Sequence, residues 1–388
     1  MSSTRTGALR HVEPAVAQIA VVSALFALAY GLYLAGLDGY REAGTGKVVG
    51  IDFIVFWTAG RMVLDGAGSL IYDPDAFHAA TIGYFGPGMS WLPWLYPPHI
   101  LAFAVPLGAL PYGVALAVWT FGGAAAFLAA CLVGQDARRR LDLLAFVLPI
   151  TLLVVYYGQI SLWAGAFGIG ALRLMDRRPL LAGLLLGLLT IKPHYGMLIP
   201  LLLLWQRRWS MIAVASLTFA ALIALSFAMV ELETWRYWAT VALPEQYRWF
   251  FVDGRVFLSK MMSLSPLMHA RFAGLDIATA EWVHKIVALG GVALFCVGLW
   301  KMDAARVRWL AIVALALVTP YFHSYDLPIY IAAYGLWLVE RPTTDRLSHG
   351  IGRMVSLALP CLPYALLVAY ALLDFVPPLA PILMLAVA

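Results

Sequence analysis

Residues 210–230 read SMIAVASLTFAALIALSFAMV, a run of twenty-one positions without an ionisable side chain. At 1.5 Å per residue, a helix of this length is about 31 Å long, which matches the ~30 Å hydrocarbon core of a bilayer. A second run at residues 15–36, AVAQIAVVSALFALAYGLYLAG, is also long and apolar. Both stretches predict helices that cross a membrane.

The composition of the whole chain agrees with this reading. Of the 388 residues, 63% are hydrophobic and 12% are charged, and the mean hydropathy is +0.84. Soluble domains carry about 25% charged residues, so an ordinary soluble enzyme is excluded. The sequence predicts an all-α polytopic membrane protein with about 10–12 transmembrane helices.

The positive charge of the chain is distributed as in a membrane protein. A net charge of +5 could suggest a nucleic-acid partner, but the basic residues gather in short clusters between apolar runs. Fourteen of the twenty-six Lys and Arg lie in these clusters: Arg138, Arg139 and Arg140; Arg173, Arg177 and Arg178; Arg207 and Arg208; Lys301, Arg306 and Arg308; Arg341, Arg346 and Arg353. Such clusters are typical of cytoplasmic loops, and we expect no nucleic-acid partner.

Placing these clusters inside gives a consistent order of spans. We predict spans at 15–36, 112–133, 142–157, 160–174, 180–192, 196–206, 210–230, 282–300, 308–321, 327–339 and 353–373, with a partial or re-entrant helix at 97–110. The apolar end, 376–388, is too short to assign. The first span lacks a small-residue cleavage site, which favours a retained anchor over a signal peptide.

Two long outward segments, 37–95 and 231–281, complete this single membrane domain. The first contains two aromatic pieces, 52–65 and 75–85, which resemble helices lying in the membrane interface. We expect Phe53, Phe56 and Trp57 to hold the earlier piece against the membrane surface. Trp91, Trp94 and Tyr96 follow and are typical of an aromatic belt at headgroup depth.

A few polar groups lie close to the predicted outer membrane surface, where such groups are costly and are therefore candidates for function. On the predicted topology they all fall on the outward side, and they come from four separate segments. They are Asp52; Gln159 in YYGQIS; Lys192 and His194 in TIKPHYG; and His323 and Asp326 in TPYFHSYDLP.

Each of these groups also has a structural interpretation. Asp52 could cap a helix that begins at Phe53, and Lys192 could extend to the lipid headgroups. His323 and Asp326 could form a buried structural pair, and Gln159 could simply serve the turn. Asp73 and Asp75, on either side of Pro74, are expected to make a turn.

Four stretches of the sequence carry a resemblance to a known family. They are IDFIVFWTAGRMVLDGAGSLIYDP, YPPHILAFAVPLGALPY, YYGQISLWAGAFGIGALRLMDRRPLLAGLLLGLLTIKPHYG and TPYFHSYDLPIY. In order and spacing they resemble the polyprenyl-phosphate-sugar-dependent glycosyltransferases of family 87. That family has the GT-C membrane fold and includes bacterial α-mannosyltransferases. The match runs over about residues 50–335.

The resemblance implies roles for the polar residues. Asp52 matches the acid in the first outward loop of GT-C enzymes, which acts as general base on the acceptor hydroxyl. Lys192 and His323, with His194 as an addition, match the environment of the donor phosphate. Tyr325 and Asp326 match orienting groups, and Gln159 is grouped with them. Some family members have Trp in place of Tyr325, which leaves the subgroup and acceptor open.

The resemblance also implies the reaction. A sugar, mannose or alternatively a pentose such as arabinofuranose, passes with inversion from a polyprenyl-phosphate donor to a glycolipid or saccharide acceptor. The expected location is the bacterial inner membrane, with the site facing the periplasm or outside. No cofactor is expected, and no metal, since no His, Cys and carboxylate cluster has convincing ligand spacing.

Two other functional classes stay open on the sequence alone. A lipid transporter or flippase would place its site near the bilayer midplane and often shows inverted repeats. The polar residues here lie on one face and no repeat is evident, which counts against that class. A structural membrane partner for another enzyme is the third possibility, and it predicts no consequence from the loss of one carboxylate.

Overall fold

The computed structural model describes residues 48–253 and 265–339, together with Val21 and the pairs 37–38 and 41–42. Leu37–Asp38 and Arg41–Glu42 form a short antiparallel pair of strands, β1 and β2. Helices make up nearly all the rest of the regular structure in this part of the chain, so the prediction of an all-α membrane protein is confirmed. The predicted spans at 15–36 and 353–373, and the segment 376–388, lie outside the described residues.

The α-helices are numbered in chain order. They are α1 (Ile51–Leu64), α2 (Pro74–Phe85), α3 (Leu101–Gly108), α4 (Tyr112–Leu132), α5 (Ala137–Tyr157), α6 (Ser161–Leu174), α7 (Pro179–Leu188), α8 (Ile199–Trp205), α9 (Trp209–Ser226), α10 (Leu232–Tyr237), α11 (Leu243–Tyr247), α12 (Pro266–Phe272), α13 (Ile277–Lys301), α14 (Ala304–Val313), α15 (Leu315–Val318) and α16 (Leu327–Val339). Short 3₁₀ turns join several of them, at Pro98–Ile100, Leu189–Ile191, Pro193–Gly196 and Ser324–Asp326.

Three of the described helices are long and apolar enough to cross a membrane: α4, α9 and α13. They correspond to the predicted spans at 112–133, 210–230 and 282–300. Their outer faces carry large apolar side chains with high exposure, such as Leu217 at 71% and Ile286 at 68%. Such faces suit lipid contact, because lipid tails are as apolar as leucine. The count of about 10–12 spans stays a prediction.

Glycines allow two pairs of helices to approach closely. A Cβ atom at Gly60 of α1 would lie 2.0 Å from the carbonyl oxygen of Ala104 in α3. A Cβ atom at Gly187 of α7 would lie 2.3 Å from the Thr218 Cβ in α9. Larger side chains at either position would push the helices apart, so these two glycines permit the close helix packing.

Aromatic residues of the first outward segment pack into the protein and do not lie against lipid. Phe53 is 0% exposed and Phe56 is 1% exposed, and both rings contact Trp119 of α4, with centroids 5.9 and 5.1 Å away. The prediction that these two residues hold α1 against the membrane surface is therefore wrong. Trp94 is also buried, at 2% exposure, so it does not join an aromatic belt.

The core lies around α6, α14 and α16. Nearly all of α16 is buried, from Leu327 through Leu336, and Gly168 of α6 faces Ile329 across the contact. The predicted span at 308–321 is divided between α14 and α15, and α15 ends at Val318, three residues before the predicted end. The irregular stretch that follows leads directly into the candidate site.

Candidate active site

Four chain segments end at one place in the protein, and each ends for a local reason. Gly50 adopts φ 73° and starts α1, and Gly158 adopts φ 67° and ends α5. Both are left-handed conformations that favour glycine. Pro193 follows Lys192 and interrupts the helical path between α7 and α8, because proline has no backbone N–H to continue it. The fourth segment, 319–326, is the irregular connection before α16.

Asp52 lies in the first turn of α1 and has one side-chain partner. The Gln159 Nε2 donates to Asp52 Oδ2 over 3.2 Å. The Gln159 Oε1 accepts from the Ile160 backbone N–H over 2.7 Å, which fixes the orientation of the amide. Asp52 Oδ1 makes no hydrogen bond with any residue that the structure describes. This carboxylate therefore has one oxygen held by the protein and one available to a ligand.

Asp52 does not cap α1. The helix begins at Ile51, its N-cap residue is Gly50, and no side chain makes a capping bond there. The capping interpretation is wrong because the helix starts two residues earlier than that interpretation requires. The turn expected at Asp73 and Asp75 is instead the start of a helix: the Asp73 carboxylate accepts from the Asp75 and Ala76 backbone N–H groups and caps α2, and Asp75 lies in its first turn.

The ionisation of Asp52 is shifted toward neutral pH. Burial raises the pKa of this carboxyl to about 6, opposed by the charge of Lys192 and the hydrogen bond from Gln159, and aided by the charge of Asp326. Above pH 6 the carboxylate is the major form, and it is a stronger base than an exposed aspartate, whose pKa is about 3.9. Such a shift suits a group that accepts a proton.

Asp326 lies in the same site with a different environment. Its side chain is 0% exposed and pairs with the Lys192 ammonium. Asp326 Oδ1 also accepts from the Tyr195 hydroxyl over 2.9 Å and from Ser161 Oγ over 3.3 Å. Asp326 Oδ2 accepts from the His323 backbone N–H over 2.9 Å. Burial raises the pKa of Asp326, but the Lys192 charge, together with His194 and His323, outweighs it and holds the pKa well below its usual range.

Lys192 is held inside the protein. It is 4% exposed, and besides Asp326 it donates to Ser161 Oγ over 2.7 Å. The interpretation in which Lys192 extends to lipid headgroups is therefore wrong. An ammonium has three N–H groups, and within the described residues two of them are used by Asp326 and Ser161. The third is left for a ligand oxygen.

Aromatic rings surround this buried pair. The Lys192 Nζ lies 4.9 Å from the Tyr325 ring centroid, and the Tyr325 and His323 rings stack at 5.0 Å with an interplanar angle of 5°. Tyr321 contacts both histidines, with centroids 4.3 Å from His323 and 5.4 Å from His194. The rings of the two tyrosines and the two histidines surround Lys192 and Asp326 and exclude water from both charges.

The two histidines are placed as neutral groups. Burial lowers the pKa of His323 to about 3, so at pH 7 its imidazole is uncharged. Burial also lowers the pKa of His194, and its Nε2 lies 3.9 Å from Asp326 Oδ2, outside hydrogen-bond distance. Neutral imidazole can still donate one hydrogen bond. We therefore read both as hydrogen-bonding groups, with Lys192 as the cation.

The second outward segment reaches the same place. Phe250 packs against Tyr321, with ring centroids 5.2 Å apart. Its neighbour Trp249 packs edge-to-face on Trp91 of the first outward segment at 5.4 Å. The two loops thus meet above the site. Two π-helical stretches, Trp238–Ala242 and Arg248–Val252, lie in this segment.

The structure brings the sequence-predicted residues together. Asp52 contacts Gln159, and Lys192, His194, His323, Tyr325 and Asp326 form one cluster that acts electrostatically on Asp52 through Lys192 and Asp326. The sequence reasoning missed Ser161 and Tyr195. Each stands within three residues of a predicted residue, Gln159 or Lys192, which is the one signal that could have found them.

No group of three or more His, Cys, Asp or Glu side chains in the described part of the chain is placed to hold a metal ion. The expectation that the reaction needs no metal stays a prediction.

These features define an all-α membrane protein with a buried polar site. The family model of glycosyltransferase family 87 matches residues 94–322, more than half of the chain, and the chain belongs to that family. The resemblance stated from the sequence is confirmed. No curated protein and no solved structure matches the chain.

Family membership makes the protein a glycosyltransferase, against the alternatives of a transporter or a structural partner. The matched range contains Gln159, Lys192 and His194. Asp52 lies before it, and His323, Tyr325 and Asp326 lie just after it. The roles of these four residues therefore depend on geometry and chemistry.

Proposed function

We propose that the protein is an inverting glycosyltransferase that takes a sugar from a polyprenyl-phosphate donor, with Asp52 as the general base. One observation carries the proposal: a single site holds a carboxylate with a free oxygen and a raised pKa beside a buried lysine with one unused N–H group. Inverting transfer needs a base on one side of the sugar and a stabilised leaving phosphate on the other.

The step is a direct displacement. Asp52 takes the proton of the acceptor hydroxyl, and the acceptor oxygen forms a bond to the anomeric carbon. The bond from that carbon to the phosphate oxygen breaks, and its electron pair leaves with the polyprenyl phosphate. Because the acceptor attacks from the side opposite the phosphate, a β-linked donor gives an α-linked product.

Lys192 is proposed to stabilise the charge that grows on the leaving phosphate. A charge-assisted hydrogen bond is worth more in a site that excludes water. His323 and His194 add neutral hydrogen bonds to the phosphate oxygens. Asp326 orients Lys192, and Tyr325 covers the pair with its ring.

An apolar cavity supports a lipid-linked donor. It has a volume of about 460 Å³ and its wall includes Thr190 and Pro193, on either side of Lys192. Leucine and isoleucine side chains from α7, α8 and α9, with Leu189 and Met197 from the connection between α7 and α8, line most of the rest. A prenyl chain in this cavity would place its phosphate next to the lysine.

The finer parts of the proposal concern the substrates and the location. The sugar is proposed to be mannose, with a pentose such as arabinofuranose as the alternative. The acceptor is a glycolipid or saccharide that contacts the outward segment 231–281. The membrane is the bacterial inner membrane, and the site opens to its outer side.

The test uses purified protein in lipid vesicles with a polyprenyl-phosphate sugar and an acceptor. Asp52→Asn should lower turnover by about 10²–10⁴-fold, the usual contribution of a general base, while donor binding is retained. The matched control is Asp65→Asn at the C-terminal cap of the same helix. The carboxylate of Asp65 pairs with Arg61 at the surface. Unchanged turnover in Asp52→Asn would show that this carboxylate is not the base.

The phosphate side of the site has its own variants. Lys192→Ala and His323→Ala should weaken donor binding or slow departure of the phosphate, without the loss of proton transfer seen for Asp52→Asn. Wild-type kinetics in both variants would refute their assignment to the phosphate.

A further inference from the structure

The sequence predicts that Tyr96 lies in an aromatic belt, but its contacts place it beside the base. Its ring packs against Phe56, with centroids 4.7 Å apart, and against Trp94 at 5.1 Å. Phe56 follows Asp52 by four residues on α1, so the two side chains lie on the same helix face. The Tyr96 ring therefore lies on the side of α1 that carries the base.

The backbone of Tyr96 is fixed. Its carbonyl oxygen accepts a hydrogen bond from the Tyr72 hydroxyl over 2.5 Å. Pro97 and Pro98 follow directly, and their rings restrict the chain. A ring held by two aromatic neighbours, on a backbone held by a hydrogen bond and two prolines, is preorganised for binding.

The Tyr96 hydroxyl makes no hydrogen bond within the part of the chain that the structure describes. Burial raises the pKa of this phenol, and the negative charges of Asp52 and Asp326 both raise it further. The phenol therefore stays protonated at neutral pH. Three residues further on, the His99 Nε2 lies 3.3 Å from the Thr190 carbonyl oxygen, so the segment that carries Tyr96 runs from the face of α1 to the residues next to Lys192. The Tyr96 hydroxyl is a hydrogen-bond donor located near the base and near the Lys192–Asp326 pair.

We propose that Tyr96 is a substrate-binding residue whose hydroxyl binds a ring hydroxyl of the transferred sugar. This inference rests on the proposed function, in which the sugar ring lies between the acceptor oxygen at Asp52 and the phosphate at Lys192. Because Tyr96 lies near both Asp52 and Lys192, it borders the sugar ring that lies between them. A site built to bind a sugar hydroxyl discriminates strongly against a sugar that lacks it.

The experiment pairs Tyr96→Phe with a set of donors, the parent polyprenyl-phosphate sugar and its monodeoxy analogues. The variant removes one hydroxyl and keeps the ring that packs on Phe56. With the parent donor, kcat/KM should fall by about 10- to 100-fold. For one deoxy donor the wild type should show a similar fall, and the wild type and Tyr96→Phe should then be nearly equal.

This non-additivity is the result that a purely structural role would not give. Tyr84→Phe is the matched control, because the Tyr84 hydroxyl donates to Asp65 at the protein surface, away from the site. It should keep the wild-type preference among all donors.

Two outcomes overturn the inference alone: Tyr96→Phe retains full activity, or it loses the same factor with every donor. A third outcome is different. If the wild type transfers sugar from no polyprenyl-phosphate donor, the proposed function fails, and the inference fails with it. An active wild type separates the two cases.

Discussion

Asp52 and Asp326 are two buried carboxylates in one site, and their surroundings are opposite. Asp326 accepts bonds from Lys192, Ser161, Tyr195 and a backbone N–H. Asp52 accepts one from Gln159. Lys192, together with His194 and His323, holds the pKa of Asp326 low against its burial, whereas burial raises the pKa of Asp52 to about 6.

The difference separates two roles. A carboxylate saturated with donors is a poor base, because each bond stabilises its charged form. A carboxylate with an empty oxygen and a raised pKa can take a proton near neutral pH. Two titratable groups whose environments drive their pKa values apart are typical of an active site. We therefore propose that Asp326 organises the site and that Asp52 is the group that reacts.

Removing the charge of Asp326, the carboxylate that accepts from four donors, should have the largest effect on stability. Asp326→Asn leaves the Lys192 ammonium buried without its counter-ion, and removing one partner of a buried pair costs about 3–5 kcal/mol. We expect the free energy of unfolding to fall by that amount, measured by denaturant titration in detergent. Activity should be lost as well.

The control for Asp326→Asn replaces both members of the buried ion pair. Lys192→Met combined with Asp326→Leu removes both charges, so most of the lost stability should return while turnover stays absent. Asp65→Asn, at an exposed ion pair, should change stability by less than about 1 kcal/mol. An Asp326→Asn protein as stable as the wild type would show that the pair does not organise the site.

Removing one donor from Asp326 should have an intermediate effect. Tyr195→Phe deletes the hydroxyl that bonds Asp326 Oδ1 and keeps the ring. A hydrogen bond to a charged group contributes about 1.5–3 kcal/mol, and we expect a loss of that size in unfolding experiments, with a higher KM for the donor. Tyr237→Phe, at an exposed tyrosine, should change stability by about 0.5 kcal/mol or less. Equal losses in both variants would contradict the role of Tyr195.

Changing the single partner of Asp52 should have the smallest effect on stability and a specific effect on pH dependence. In Gln159→Glu an oxygen replaces the amide nitrogen that donates to Asp52. A neighbouring acid raises the pKa of Asp52, so the acid limb of kcat/KM should move to higher pH by about one unit or more. Gln159→Leu should move it in the same direction by a smaller amount. If the acid limb stays at the same pH in both variants, Gln159 does not influence the pKa of Asp52.

Much of this architecture could be predicted from sequence. The apolar runs gave α4, α9 and α13 because an apolar stretch of about twenty residues has few alternatives to a spanning helix. The polar residues of the site were found because charges near lipid are rare and costly. The prolines and glycines beside them marked the places where helices end.

Other features could not be predicted, for physical reasons. Aromatic residues such as Phe53 and Trp94 look the same in a sequence whether they face lipid or protein, and their burial depends on contacts with distant segments. Ser161 and Tyr195 are ordinary residues in an apolar chain. Their importance comes from Asp326, which is more than 130 positions away in sequence. The partner of Lys192 was likewise visible only in the fold.

The most direct measurement of the central claim is the pH dependence of kcat/KM for the wild-type protein in lipid vesicles. This parameter reports the ionisation of the free enzyme. With Asp52 as base and its pKa at about 6, kcat/KM should be level above that pH. Below it, the value should fall about tenfold per unit as the carboxylate takes up a proton, and the residual rate of Asp52→Asn should lack this limb. A level wild-type profile down to about pH 4, or the same acid limb in Asp52→Asn, would contradict the assignment of Asp52 as the base.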